Sequence, residues 1–240
     1  MPETLEQLNE RAKSYYFTSQ QTALDDRLRE RLIKRCLKDI KGGAVLEFGF
    51  VDGQWTDRLL ALGCTVASVE GALNNVEFGR KKYSNNPSVT LIHSTFEDFD
   101  TDQKFDWIIM GGMLKHLKDP VSFLKRSHAW LSPGGRLIAT TPNPKSLHRR
   151  VGVKMGILAD LETLTPTDHQ VGNLRHYDLQ SFKSLIVEGG YTVTTIAPAI
   201  IKPVSSEFME GWSDNLLDAL DRIADEIPDY GWSIYAIARL

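Results

Sequence analysis

The sequence of 240 residues has little cysteine and no excess of positive charge. Its two cysteines, Cys36 and Cys64, are accompanied by no CxxC pair and no cysteine–histidine cluster, so neither a disulfide framework nor a metal site is expected. The formal net charge of −3 provides no broad basic field for nucleic acid or for an anionic membrane surface. These deficits favour a small molecule as the partner.

Long uninterrupted apolar segments are also missing, and the N-terminal segment is acidic and polar rather than basic and then apolar. No run approaches the roughly 20 residues that cross a bilayer, and no secretory signal is expected. We therefore predict a cytoplasmic protein without a membrane partner. With 42% hydrophobic residues, the chain can bury one substantial core, which predicts a single domain over residues 1–240.

What the sequence does contain is an alternation of short β-branched runs with segments of helical periodicity. This alternation is typical of parallel strands that are connected by crossover helices. It predicts an α/β fold with a seven-stranded, mostly parallel sheet, in which the last strand pairs antiparallel at the sheet edge. The runs that favour strands lie at 44–48, 65–69, 89–93, 105–110, 136–140, 191–197 and 232–238.

Two segments interrupt or precede this alternation. Residues 1–40 look helical, and we expect them to form an N-terminal cap over the site. Between 141 and 178 the pattern changes to Pro, Gly, Asn, His and Arg, and so long a connection is usually a functional loop, here called the lid. The remaining parts are a ligand-binding half at 41–140 and a C-terminal helix and hairpin at 179–240.

The most informative segment is VLEFGFVDG at 45–53, which predicts a strand that ends in a glycine turn and leads into a helix near Gln54. Gly49 would let a ligand approach the backbone closely. The start of the following helix has unpaired N–H groups and suits an anionic group. Glu70 ends the second strand, where a carboxylate can accept from both hydroxyls of a ribose. Together these features predict a ligand that carries a nucleoside.

Four ordered segments resemble the motifs of the class I S-adenosylmethionine-dependent methyltransferases of the small-molecule type. They are VLEFGFVDGQW, SVEGA, FDWIIMGGMLKHLKDP and LSPGGRLIATTPN. The resemblance covers residues 40–140 well and the remainder loosely, and it is specific as an ordered set. It implies a Rossmann-like fold with an antiparallel terminal hairpin and S-adenosylmethionine as the cofactor. It also implies methyl transfer to a hydroxyl or amine of a small metabolite, such as a sugar or natural product.

The resemblance further implies which residues hold the cofactor. Glu47 and Gly49 would face its methionine end, and Gly53 would lie in the same turn. Glu70 would hold the ribose, and Phe96 with Met110 would flank the adenine and the thioether.

Two positions depart from the family pattern. Val51 stands where a second glycine is common, and it would restrict the turn if a positive φ is required there. Ser94 stands where an acid is common, so the exocyclic amine of adenine would need another acceptor, such as Glu97 or a backbone carbonyl.

Methyl transfer from a sulfonium mainly requires that the acceptor be aligned and water excluded. A general base is useful when the acceptor is a hydroxyl, and histidine titrates in the right range. The lid supplies His169 and His176, and the resemblance adds His116 as a third candidate. An acidic acceptor could be bound by one of three arginines, Arg149, Arg150 and Arg175.

Two other functions stay open at this point. A non-catalytic S-adenosylmethionine-binding protein of the same fold is supported by Val51 and Ser94. An NAD-dependent oxidoreductase shares the glycine turn and the acid, but it would need G-x-G-x-x-G spacing, which Phe50-Val51-Asp52 does not provide. The sequence does not fix the oligomeric state, and a homodimer is compatible with it.

Overall fold

The computed structural model describes residues 4–15 and 23–240. The helices in these ranges are α1 (Leu5–Tyr15), α2 (Ala23–Leu37), α3 (Gln54–Ala61), α4 (Leu73–Lys82), α5 (Pro120–Ser127), α6 (Leu147–Lys154), α7 (Pro166–Gln170), α8 (Leu179–Glu188), α9 (Ser206–Met209) and α10 (Asp214–Ile223). The strands are β1 (Gly43–Phe48), β2 (Cys64–Glu70), β3 (Val89–His93), β4 (Phe105–Gly111), β5 (Leu131–Pro142), β6 (Thr192–Ile201) and β7 (Gly231–Arg239). Residues 1–3 and 16–22 of the predicted cap lie outside the described residues.

The strands form one seven-stranded sheet in the order β3-β2-β1-β4-β5-β7-β6. The first five in this order pair in parallel, and β7 pairs antiparallel with both β5 and β6. The predicted α/β fold with an antiparallel terminal hairpin is confirmed. The predicted position of the last strand is wrong, because β7 lies inside the sheet and β6 forms the edge. Nearly all of β7 is buried, as an internal strand requires, whereas the first half of β6 alternates with exposed positions.

Helices cover both faces of the sheet. On one face, Phe48 of β1 packs against the rings of Phe123 and Trp130, with ring centroids 5.1 and 5.5 Å apart. On the other face, Ile33 of α2 and Leu59 of α3 pack over Ile109 of β4, and all three are fully buried. The core therefore holds the carboxyl ends of β1 and β4 in fixed positions.

The cap helix α2 is fixed to α10 by a row of ion pairs. Arg27, Arg31 and Arg35 are spaced four residues apart and so share one face of α2. Arg31 donates to Asp218 at 2.8 Å, and Arg35 donates to Asp221 at 2.8 Å. Since these pairs join residues more than 180 positions apart, they connect the N-terminal cap to the C-terminal part of the fold.

The lid contains α6 and α7 and is bound to the segment that follows β4. The N–H of Leu174 donates to the carbonyl of Lys115 at 3.0 Å, and the carbonyl of Gly172 lies 3.0 Å from Nδ1 of His116. Inside the lid, the Arg149 guanidinium donates to two backbone carbonyls. The lid is thus an ordered layer over this end of the sheet. Within the described ranges, we find no helix both long and apolar enough to cross a membrane.

Candidate active site

A cavity of about 330 Å³ opens at the carboxyl ends of β1, β2 and β4. The strand order reverses between β1 and β4, and in open α/β sheets ligands bind at such a reversal. The strand ends contribute Gly49, Glu70 and Gly111 to the wall. The cap contributes residues of α1 and α2, and Val171 of the lid closes one side. The described residues therefore form a ligand-sized cavity where the sequence predicted a nucleoside.

The turn after β1 passes through the left-handed region at alternate residues. The φ angles are +90° at Gly49, +53° at Val51 and +84° at Gly53. At Gly49 a Cβ would point into open space, with Phe96 Cζ the nearest atom at 3.8 Å. A ligand can therefore approach the backbone at Gly49. The positive φ at Val51 shows that this departure from the family pattern does strain the turn, because a β-branched residue rarely adopts it.

Replacing Val51 with glycine should relieve this strain. Strained backbone of this kind costs about 1–3 kcal/mol, which the substitution would recover. Glycine also gives the unfolded chain more conformational freedom, and this offsets about 0.4–1 kcal/mol of the recovered stability. We expect Val51→Gly to raise the free energy of unfolding by about 1 kcal/mol, measured by urea denaturation. Val51→Ala keeps the left-handed position occupied by a side chain and should gain less. Loss of stability in Val51→Gly would show that the turn is not strained.

Gly53 and Gly63 flank the same helix, α3, and allow a matched test of the turn. Both have positive φ, but a Cβ at Gly53 would lie 2.9 Å from the buried ring of Phe50, whereas at Gly63 it would meet nothing within 4 Å. Gly63→Ala should cost about 1 kcal/mol of unfolding free energy for its backbone alone. Gly53→Ala should cost about 2 kcal/mol, because overpacking is added. Equal losses in thermal or urea unfolding would contradict this close packing.

Glu70 is held at the cavity wall by the backbone. Its Oε1 accepts from the N–H of Ala72 at 2.8 Å, and its Oε2 accepts from the N–H of Val51 at 3.0 Å. Burial raises the pKa of Glu70, and these backbone N–H groups oppose the rise. Each carboxylate oxygen has a second lone pair, so the side chain can still accept from a ligand. The same contacts tie the strained turn to the end of β2.

Glu47 lies behind the cavity wall and not on it. Its side chain is 1% exposed, and its Oε2 accepts from Thr56 Oγ1 at 2.6 Å. No described residue forms a hydrogen bond with its Oε1. Burial raises the pKa of Glu47 to about 8, and the Thr56 hydroxyl opposes the rise. The carboxyl is therefore a buried acid that keeps its proton near pH 7.

The predicted adenine and thioether residues divide between wall and core. Phe96 is on the wall, as is Glu97, whereas Ser94 is not, and its hydroxyl donates to the carbonyl of Thr95 at 2.9 Å. Met110 is fully buried in the core of the sheet, so it cannot flank a ligand in this structure. Met113, three positions further on, is on the wall instead. Gly53 is also absent from the wall, since it supports the turn from behind.

The sequence model of a protein family described as a methyltransferase domain matches residues 18–196, which is most of the chain. The chain belongs to the methyltransferase domain family. This match confirms the class I S-adenosylmethionine-dependent methyltransferase family that the sequence motifs predicted.

Relatives and solved structures agree with this assignment. The ubiquinone biosynthesis O-methyltransferase of Actinobacillus pleuropneumoniae serotype 5b (strain L20) is 31% identical over 123 residues, 48% of this chain and 53% of that protein. The demethylmenaquinone methyltransferase of Staphylococcus aureus (strain MRSA252) is 29% identical over 121 residues, 48% and 50% of the two chains. The chain spans about half the length of these relatives.

Two solved structures share the fold at lower identity. The S-adenosylmethionine-dependent methyltransferase of Mesorhizobium loti superimposes with a TM-score of 0.63 at 15% identity, over 87% of this chain and 96% of that one. The N-methyltransferase NodS of Bradyrhizobium japonicum WM9, in complex with S-adenosyl-L-homocysteine, gives 0.60 at 16% identity over 97% of each chain. They establish that this chain has their fold.

One of the three predicted histidines lies on the cavity wall. His116 lies in the segment after β4. Its Nδ1 forms a hydrogen bond with the Gly172 carbonyl, and because a carbonyl can only accept, Nδ1 must carry the ring proton. Nε2 then carries the lone pair. Burial lowers the pKa of His116 to about 3, with the cations of Lys115 and Arg11 contributing. His116 therefore stays neutral near pH 7 and can accept a hydrogen bond, but it is a weak base.

The other two predicted histidines do not reach the cavity. His176 is 5% exposed and lies 3.8 Å from Asp168 inside the lid, while His169 is exposed on α7. The predicted acceptor-binding arginines also have local partners. Arg149, Arg150 and Arg175 each donate to backbone carbonyls and are not on the wall. The three arginines thus bind the backbone of the lid and of its neighbouring segments.

Three cations on the cavity wall were not predicted from the sequence, namely Arg11, Arg29 and Lys115. Arg29 is paired with Asp52 at 2.8 Å. The arginines come from the cap and reach the cavity only through tertiary packing, which no local pattern encodes. Lys115 could have been identified from the sequence, because it directly precedes His116 in the segment FDWIIMGGMLKHLKDP, which resembles a family motif.

Proposed function

We propose that this methyltransferase binds S-adenosylmethionine in the cavity and transfers its methyl group to a hydroxyl or amine of a small metabolite. The observation that carries the proposal is the position of the Glu70 carboxylate on the same wall as the open backbone at Gly49. A nucleoside needs an acceptor for its ribose hydroxyls and space beside the backbone for its remaining parts. Both are provided within one cavity.

The residues present fit this cofactor. Glu70 would hold the ribose, Phe96 would contact the adenine, and Glu97 could accept from its exocyclic amine. Gly49 leaves room for the methionine end, and Glu47 lies behind it with an oxygen that no described residue bonds. When bound, S-adenosylmethionine supplies a methyl group activated by its sulfonium.

The acceptor would lie between the segment after β4 and the lid. Val171 and Leu117 present apolar surface there, and the cap residues Leu8 and Ala12 cover the opposite side. These groups would exclude water and align the acceptor with the methyl group, which is the main demand of the transfer. The lone pair of His116 could orient an acceptor hydroxyl by accepting its proton in a hydrogen bond. His169 and His176 are weaker candidates for a base, because neither lies on the wall.

The relatives help to rank the acceptor atom. An O-methyltransferase among the sequence relatives favours a hydroxyl, and an N-methyltransferase among the structural neighbours keeps an amine open. The strained Val51 favours one second candidate, a binding protein of this fold without turnover.

Calorimetry with S-adenosylhomocysteine, followed by incubation of the protein with methyl-labelled S-adenosylmethionine and fractionated small metabolites, tests the proposal. We expect binding and transfer of label to a small product. Absence of binding at millimolar ligand would contradict both candidates. Binding without turnover across a wide acceptor panel would favour the non-catalytic one.

A further inference from the structure

Lys115 is a cation on the cavity wall without a partner of its own. Among the described residues, none forms a hydrogen bond or ion pair with its ammonium group. The carboxylate that acts on it through space is Asp168, whose oxygens already accept from Thr165 and Asn173. Arg29, by contrast, is neutralised on the same wall by Asp52. Lys115 is only partly exposed, and removing a lysine charge from water without a partner is costly.

The charges on the wall are segregated by strand. The wall carboxylates Asp52 and Glu97 follow β1 and β3, and Glu70 ends β2. Lys115 and His116 follow β4, beneath the lid. Arg11 enters from the cap on this second side, where its guanidinium packs against Gly172. Since His116 is neutral, the segment after β4 contributes one cation, Lys115, and no carboxylate to the cavity wall.

We propose that the Lys115 ammonium binds an oxyanion of the methyl acceptor, which is therefore a carboxylic acid or an ionised phenol and not a neutral metabolite. This inference rests on the proposed function, because it assigns the acceptor end of the same cavity. Burial lowers the pKa of Lys115 to about 8, and an anionic partner would offset that desolvation. The apolar side chains of Leu117 and Val171 beside it would contact the body of such an acceptor.

The test uses pairs of probes that differ in charge and little else. They are benzoate with benzamide, 3,4-dihydroxybenzoate with 3,4-dihydroxybenzamide, and the acidic phenol 4-nitrocatechol with catechol. Each is titrated calorimetrically at pH 7 into the full chain saturated with S-adenosylhomocysteine. We expect the anionic member of at least one pair to bind at least tenfold more tightly. The carboxylate pairs and the phenol pair distinguish the two sources of the oxyanion.

Three variants identify the group responsible. Lys115→Met should reduce the preference to less than about threefold, whereas Lys115→Arg should keep most of it, because a cation remains. Lys125→Met, on the exposed face of α5, removes a charge away from the cavity and should behave as the unaltered protein. If Lys115→Met does not fold, as judged by its thermal unfolding, Lys115→Gln takes its place.

Several results would overturn the proposal. These are the absence of any preference for an anion in the unaltered protein, and a preference that survives the loss of the Lys115 charge. A tenfold loss of S-adenosylhomocysteine affinity in Lys115→Met would assign this lysine to the cofactor carboxylate instead. If the unaltered protein did not bind S-adenosylhomocysteine, the proposed function itself would fail, which is a separate and recognisable outcome.

Discussion

Glu70→Ala is expected to weaken the binding of S-adenosylhomocysteine at least 100-fold in calorimetry. A carboxylate that accepts from two ribose hydroxyls forms two charge-assisted hydrogen bonds, each contributing about 1.5–3 kcal/mol. Their combined loss corresponds to at least two powers of ten in the dissociation constant. The substitution also leaves the N–H groups of Val51 and Ala72 without their acceptor, so the turn after β1 loses its tie to β2.

Two companion variants separate these contributions. Glu70→Gln keeps one carbonyl acceptor and the shape of the side chain, and it should lose about tenfold in affinity because the charge is gone. Glu77→Gln, exposed on α4, alters the net charge equally and should bind as the unaltered protein does. A loss of less than fivefold in Glu70→Ala would place the ribose elsewhere, and the cavity would then need another ligand.

The architecture could be predicted because it depends on local periodicity. Each predicted strand overlaps an observed one, and β3 has the predicted bounds, because a buried strand is a short apolar run between turn residues. The order of the strands in the sheet cannot be predicted from local periodicity. The placement of β7 between β5 and β6 depends on pairing between residues far apart, such as Ile138 with Ile237. The continuous apolar run in β7 was the one sequence signal for an internal position.

The site could be predicted only in part, for the same reason. Gly49, Glu70 and Phe96 lie on the wall because each stands at or shortly after the end of a strand. Met110 was misplaced because it is still within β4, where it pairs in register with Ala139 and faces the core. The chain leaves the sheet only at Gly111, so the residues that reach the cavity come later. Arg11 could not be predicted, since it lies more than a hundred positions from His116 and Gly172, which it approaches in space.

Glu47 should make the stability of the fold depend on pH in a direction opposite to that of most carboxylates. Its pKa is raised from 4.5 to about 8, first by burial, and the neighbouring carboxylates of Glu70 and Asp52 act in the same direction. Between these two values the folded chain keeps the proton and the unfolded chain does not. Stability linked to Glu47 is therefore fully present below about pH 4.5 and is lost as the pH rises through 8. The limiting slope is about 1.4 kcal/mol per pH unit.

Glu47→Gln removes this titration while keeping an oxygen that can accept from Thr56. We expect the stability of the variant relative to the unaltered protein to rise with pH between about 5 and 8, by a few kcal/mol in total. Urea denaturation at several pH values measures this difference, and titrating groups common to both proteins cancel. Glu77→Gln is the matched control, because that side chain is exposed and its removal should leave the pH profile unchanged. Parallel profiles for Glu47→Gln and the unaltered protein would show that the fold does not raise the pKa of Glu47.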